Sequence, residues 1–125
     1  VVAKTAYPNL AIEYQLSRVN LLANGVYQAL RRETDPLAAL NTLSAYLFEE
    51  QGFHGNHDDY YDPRNSYLSD VLTRRTGIPI TLALVYIEVG RRAGLPLVGV
   101  GLPGHFVVGH FGVKPPLLSR SWFRV

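Results

Sequence analysis

Few side chains in this sequence combine a reactive type with a suggestive setting. His54 and His57, followed by Asp58 and Asp59, are hard and soft enough together for zinc or a similar cation. Their spacing matches no closed ligand set, and in a Gly-Asn-rich loop they read as plain polarity, so no metal site is assigned. Thr81 lies in the first turn of a helix opened by Pro79. A base-assisted threonine is a feasible nucleophile, although a threonine at a helix start more often satisfies backbone groups. Asp62-Pro63-Arg64-Asn65 is turn and cap chemistry, and its neighbours Tyr60, Tyr61 and Tyr67 could line a peptide groove or pack into the core. His105 follows Leu102-Pro103-Gly104 at the start of a strand-like run. The chain has no cysteine, which removes thiolate nucleophiles, disulfides and zinc–thiolate sites.

The elements that must position these groups follow from periodicity. Ile12, Leu16, Val19, Val26 and Leu30, with Ala23 between, predict an amphipathic helix over about 10–32. Gly25 within it costs about 1 kcal/mol relative to alanine. Asp35-Pro36 is a helix start, its side-chain oxygen a cap and its proline suited to the first turn. Leu37, Leu40, Ser44 and Leu47 then share a face to about residue 51, where Gly52 closes the helix. After the polar, aromatic loop 53–64, Asn65 or Ser66 is expected to cap a short helix bearing Tyr67, Leu68, Val71 and Leu72, with Gly77 ending it. From Pro79 to about Ala93 the residues are apolar almost all round, which predicts a central, buried helix. Leu97–Val100 and Phe106–Val108 read as two strands.

Composition narrows the class. At 125 residues, 47% hydrophobic and 18% charged, the chain suits one soluble globular domain and excludes disorder. The net charge of +2 is small, and the pairs Arg31–Arg32, Arg74–Arg75 and Arg91–Arg92 read as solvated helix ends rather than a nucleic-acid surface. No apolar run reaches the ~18 residues of a membrane span, and Val1–Leu10 lacks the pattern of a signal peptide. A cytoplasmic protein is expected, with no cofactor. The sequence lacks an initiating methionine and contains none elsewhere, for which a mature or truncated product is the simple explanation.

Taken in order, YYDPRNSYL, RRTGIPITL, RRAGLP and GLPGHF resemble the transglutaminase-like core of the SirB-type family, also found in an F-box protein. The resemblance covers about residues 40–108. It implies a cysteine-proteinase-like α+β fold: N-terminal helices (1–34), then a core (35–111) in which a buried helix packs on a small antiparallel sheet. Residues 112–125, with two prolines and no alternation, are expected to be an atypical tail that adds no strand, leaving an unpaired sheet edge after Val108 open to self-association. Proteins similar to this one continue into a further strand and paired helices, so a C-terminal truncation is also expected.

In true transglutaminases and related peptidases the nucleophile, a cysteine, sits at the N-terminus of the buried helix and faces a histidine, which an acid orients; the SirB-type pattern is thought to have lost that cysteine. Carried onto this chain, the histidine is His105, the nucleophile position falls at or beside Pro79, and no Asp or Glu follows residue 105. The resemblance thus implies a non-catalytic module that binds a protein or peptide near His105 and the 53–67 loop, through Tyr60, Tyr61, Asp62, Arg64 and Asn65. Two alternatives stay open: an amide hydrolase or acyl transferase using His105 as base with water or Thr81 as nucleophile, and a fragment without independent function.

Overall fold

The computed structural model describes residues 8–56, 58–59, 61–102, 105–112 and 117–119. Helix α1 runs Pro8–Arg32 and buries Val19, Leu22, Ala23, Val26 and Leu30. Leu22 takes its place in the buried stripe, whereas Leu16 stays exposed. Gly25 survives mid-helix for a packing reason. A Cβ there would collide with the hydroxyl of Tyr46, which donates to the Leu22 carbonyl at 2.8 Å.

Helix α2, Pro36–Ser44, starts where Asp35-Pro36 predicts, but the Asp35 side chain makes no capping bond. The helix then widens into a π turn, Ala45–Glu50, with Gln51 N–H donating to the Tyr46 carbonyl. Such a turn re-aims side chains within a helix, and here both Tyr46 and Leu47 are buried. Gly52 follows in the left-handed region at φ 75°, as a helix-closing glycine should.

Two-residue strands β1 (His54–Gly55) and β2 (Thr76–Gly77) pair in parallel, His54 with Thr76 and Gly55 with Gly77. Between them lie a 3-10 turn, Pro63–Ser66, and helix α3, Leu68–Arg74. Neither Asn65 nor Ser66 caps α3. Its N-cap is Tyr67, without a side-chain bond, and the helix ends at Arg75 in a left-handed conformation (φ 58°) rather than at Gly77.

Helix α4, Pro79–Arg92, is the centre of the molecule and touches α1, α2, α3 and the sheet. Leu82, Ala83, Val85, Tyr86, Ile87 and Val89 are buried, together with Leu43, Leu47, Val71 and Leu72 from the surrounding helices. At Gly90 a Cβ would strike Leu97 Cδ1 and lie 2.9 Å from Leu43 Cδ2, so this helix approaches its neighbours as closely as only glycine permits. Burial is not complete all round: Ile80 and Leu84, one turn apart, are 44% and 46% exposed.

The fold is α+β. Strands β3 (Leu97–Leu102) and β4 (His105–His110) pair antiparallel from Leu97–His110 to Leu102–His105, and Phe111 N–H donates to the Pro96 carbonyl at 3.0 Å. The expectation of a sheet that stops at Val108, followed by a strandless tail, is corrected. β4 continues to His110, and Leu117–Ser119 forms β5, antiparallel to it, with Val108 opposite Ser119 and His110 opposite Leu117. The partner strand is only three residues long and follows two prolines, which cannot donate to a ladder.

Candidate functional site

The 53–67 loop is fastened to the start of α4 by a polar network centred on Asn65, which is 1% exposed. Its Oδ1 accepts from Asn56 Nδ2 at 3.1 Å, and its Nδ2 donates to the Asp59 carbonyl at 3.0 Å. Asn56 Oδ1 in turn accepts from Asp59 N–H at 3.0 Å. The Asn65 carbonyl accepts from Thr81 Oγ1 at 2.8 Å. Thr81 Oγ1 also accepts from Ile78 N–H at 3.1 Å and lies 3.1 Å from the Ile78 carbonyl. Its hydroxyl, 7% exposed as a residue, is thus engaged with backbone on three sides.

Asp62 organises the next turn. Its Oδ1 accepts from Arg64 N–H at 3.0 Å, and its carboxylate takes Arg64 Nε and Nη2 at 3.1 and 2.6 Å. Those hydrogen bonds, with the added charge of Arg74 nearby, hold the Asp62 carboxyl down at about 2. Arg74 Nη2 stands 3.7 Å from the same carboxylate, while its buried Nη1 has no hydrogen-bond acceptor among the described residues. A buried donor left without an acceptor is costly, and here it lies beside the loop.

The predicted site residues separate into groups. Asp62, Arg64 and Asn65 come together with Thr81 at the N-terminus of α4, and Asn56 and Arg74 join them. These last two carried no sequence signal beyond polarity, because their partners are distant in the chain. Tyr61 is 90% exposed and Tyr67 53%; neither ring is in the core. Tyr60 and His57 lie outside the described residues. His105 stands on β4 opposite Leu102, and its side chain also lies outside them. His54 has both ring nitrogens occupied, Nδ1 with the Gly55 carbonyl at 2.9 Å and Nε2 with Thr76 Oγ1 at 3.2 Å. Among the described residues, no three His, Cys, Asp or Glu side chains gather as metal ligands, and no helix is long and apolar enough to cross a membrane.

A buried helix entered through a proline, a polar loop tied to its first turn, and an antiparallel hairpin packed along it is the layout that the sequence resemblance implied. The family described as the transglutaminase-like superfamily matches residues 14–118, from within α1 into β5. The chain belongs to the transglutaminase-like superfamily. A UPF0162 protein of Xylella fastidiosa is 43% identical over 112 residues, covering 86% of this chain and 38% of that protein. One from Vibrio cholerae is 30% identical over 119 residues, covering 95% and 40%. F-box only protein 21 of Mus musculus is 45% identical over 69 residues, covering 55% and 11%. The chain thus spans about two fifths of the length of the UPF0162 relatives. No solved structure matches it.

The resemblance places a nucleophile position at the first turn of α4. Ile78, Pro79 and Ile80 stand there, and none carries a nucleophilic atom. The first hydroxyl in the helix is that of Thr81, engaged as described.

Proposed function

We propose that the chain is a non-catalytic transglutaminase-like domain that acts as a protein- or peptide-binding or regulatory module. One observation carries the reading. At the helix start where a transglutaminase-like core would present its thiolate, this chain has Pro79 between two isoleucines and no cysteine anywhere, and the nearest hydroxyl is spent on backbone. A cleft without a nucleophile can still hold an extended segment. The exposed rings of Tyr61 and Tyr67 offer contact area at low entropic cost. His105, at the turn end of the hairpin, borders the cleft in this reading.

The test is release of ammonia from a glutamine-donor peptide with an amine acceptor, run on the folded chain. The expected result is no turnover, with a library-selected peptide protecting the 53–67 loop from hydrogen exchange. Turnover that disappears in His105→Ala would overturn the proposal and establish the hydrolase or transferase alternative.

A further inference from the structure

We propose that a second site, between α1, the π turn and the end of α3, binds an acidic segment of a protein partner: a carboxylate between Arg18 and Arg75, with a neighbouring apolar side chain on Leu22 and Leu72. An open pocket of about 310 Å³ lies between α1, the π turn and the end of α3, lined by Arg18, Leu21, Leu22, Tyr46, Gln51, Leu72 and Arg75. Two guanidiniums and an amide line it above an apolar floor, and none of its lining residues is acidic. That combination suits a carboxylate joined to an apolar group.

Both arginines are held in position. Arg18 Nη1 donates to Thr73 Oγ1 at 2.9 Å, and the Arg18 guanidinium lies 5.7 Å from the centre of the Tyr14 ring. The Arg75 guanidinium carbon lies 4.8 Å from the centre of the Phe53 ring, and among the described residues no hydrogen bond engages its side-chain N–H groups. A guanidinium held against a ring with its N–H groups unengaged can meet a carboxylate through two of them. Its backbone is also unusual. Arg75 is the one non-glycine described with positive φ, at 58°, where glycine would be at ease. A large cationic side chain is kept at a position whose backbone favours having none.

Shape points to a peptide rather than a small acid. Tyr14, Arg18 and Leu21 follow one another along α1, with Tyr14 61% and Leu21 70% exposed. Seven residues of helix span about 10 Å, the length of about three residues of extended chain. Glu50 acts on the Tyr46 hydroxyl together with Arg75, so one acidic group stands near the pocket and weakens its attraction for anions.

The proposal does not depend on what the α4 cleft binds. It is tested by fluorescence anisotropy of the full chain with a labelled, end-blocked peptide of Leu-Glu-Leu flanked by alanines. Expected are at least tenfold tighter binding than the same peptide with glutamine, weakening with salt, at least fivefold loss in Arg75→Gly and Arg18→Gln, and a gain in Glu50→Gln. Arg75→Gly separates binding from folding, because glycine relieves the backbone and its Tm should not fall. Equal affinity for the glutamate and glutamine peptides, or full binding by Arg75→Gly, would overturn the proposal. So would N-acetylglutamate binding as tightly as the peptide, which would make the ligand a small acid.

Discussion

Helix α4 is held by two different kinds of interaction at its two ends. Its C-terminal half is fixed by apolar contact: Tyr86, Val89 and Gly90 are sealed among Leu43, Leu47 and Leu97. Its N-terminal turn is fixed by polar groups, with Thr81, Asn65, Asn56 and Asp59 joined in a chain of hydrogen bonds. Apolar packing is non-directional and tolerates small shifts in which atoms meet, whereas a polar network works only when each donor finds its acceptor. The proposed binding function rests on the polar end, where the scaffold is directional and the helix starts with Pro79 between two isoleucines.

The largest way to disturb this comparison lies at the apolar end. Gly90→Val places two methyl groups where even a Cβ meets Leu97 and Leu43, and overpacking of this kind should cost about 3 kcal/mol. A denaturant melt should show the midpoint falling with an unchanged slope. A stable Gly90→Val protein would mean that α4 does not approach β3 this closely. At the polar end, Asn65→Ala strips the Asp59 carbonyl and Asn56 of their buried partner and should cost about 2 kcal/mol. Hydrogen exchange should then rise in the 53–67 loop before it rises in α4. Uniform loosening of the whole chain would show that the two ends are not separable.

Glycines and polar residues at the two ends of the core show how far the sequence could be read. Gly25 and Gly52 were both visible as glycines, yet only Gly52 had a local explanation, a helix end in left-handed backbone. The reason for Gly25 is Tyr46, from another element. Asn65 looked like a helix cap because capping is a local pattern. Its actual role depends on Asn56, Asp59 and Thr81, whose approach no periodicity records. α4 was legible as the central helix from its apolar run, but Ile80 and Leu84 were not legible as its open stripe. β5 is not legible in the sequence, because three residues after Pro115-Pro116 are too few to show alternation and its pairing with β4 is a long-range fact. Patterns within one element were readable; contacts between elements were not.

A milder change tests the polar content of the apolar end. The Tyr86 hydroxyl donates to the Leu40 carbonyl at 2.9 Å and lies 3.1 Å from Ser44 Oγ. Burial pushes its ionisation up to about 12, so below pH 10 it is neutral in both folded and unfolded chains. Above that, the unfolded chain ionises first and stability falls. Tyr86→Phe keeps the ring stacked on Phe48 and removes only the hydroxyl, at a cost of about 1 kcal/mol. In a denaturant series from pH 8 to 11, wild-type stability should drop toward the mutant's or below it. A constant gap between the two proteins would show that the hydroxyl is not buried as described.

The smallest expected effect is at Asp62, where the partners are charged but Arg64 is largely exposed, and water screens such pairs. The carboxyl is lowered from 3.8 to about 2, chiefly by hydrogen bonds from Arg64. A depressed carboxyl pKa stabilises the folded state at pH values above the unfolded pKa. That contribution is lost as pH falls from about 4 through about 2, when the folded carboxylate too takes up a proton. Asp62→Asn keeps the shape and an acceptor for Arg64 N–H but cannot carry the charge. The stability difference between wild type and Asp62→Asn should therefore be constant from pH 7 to 5 and shrink between 4 and 2. If it stays constant down to pH 2, the Asp62–Arg64 pair does not form in solution. The turn would then be held by Pro63 and Asn65 alone, and the polar end of α4 would rest on hydrogen bonds between neutral groups, with no contribution from charge.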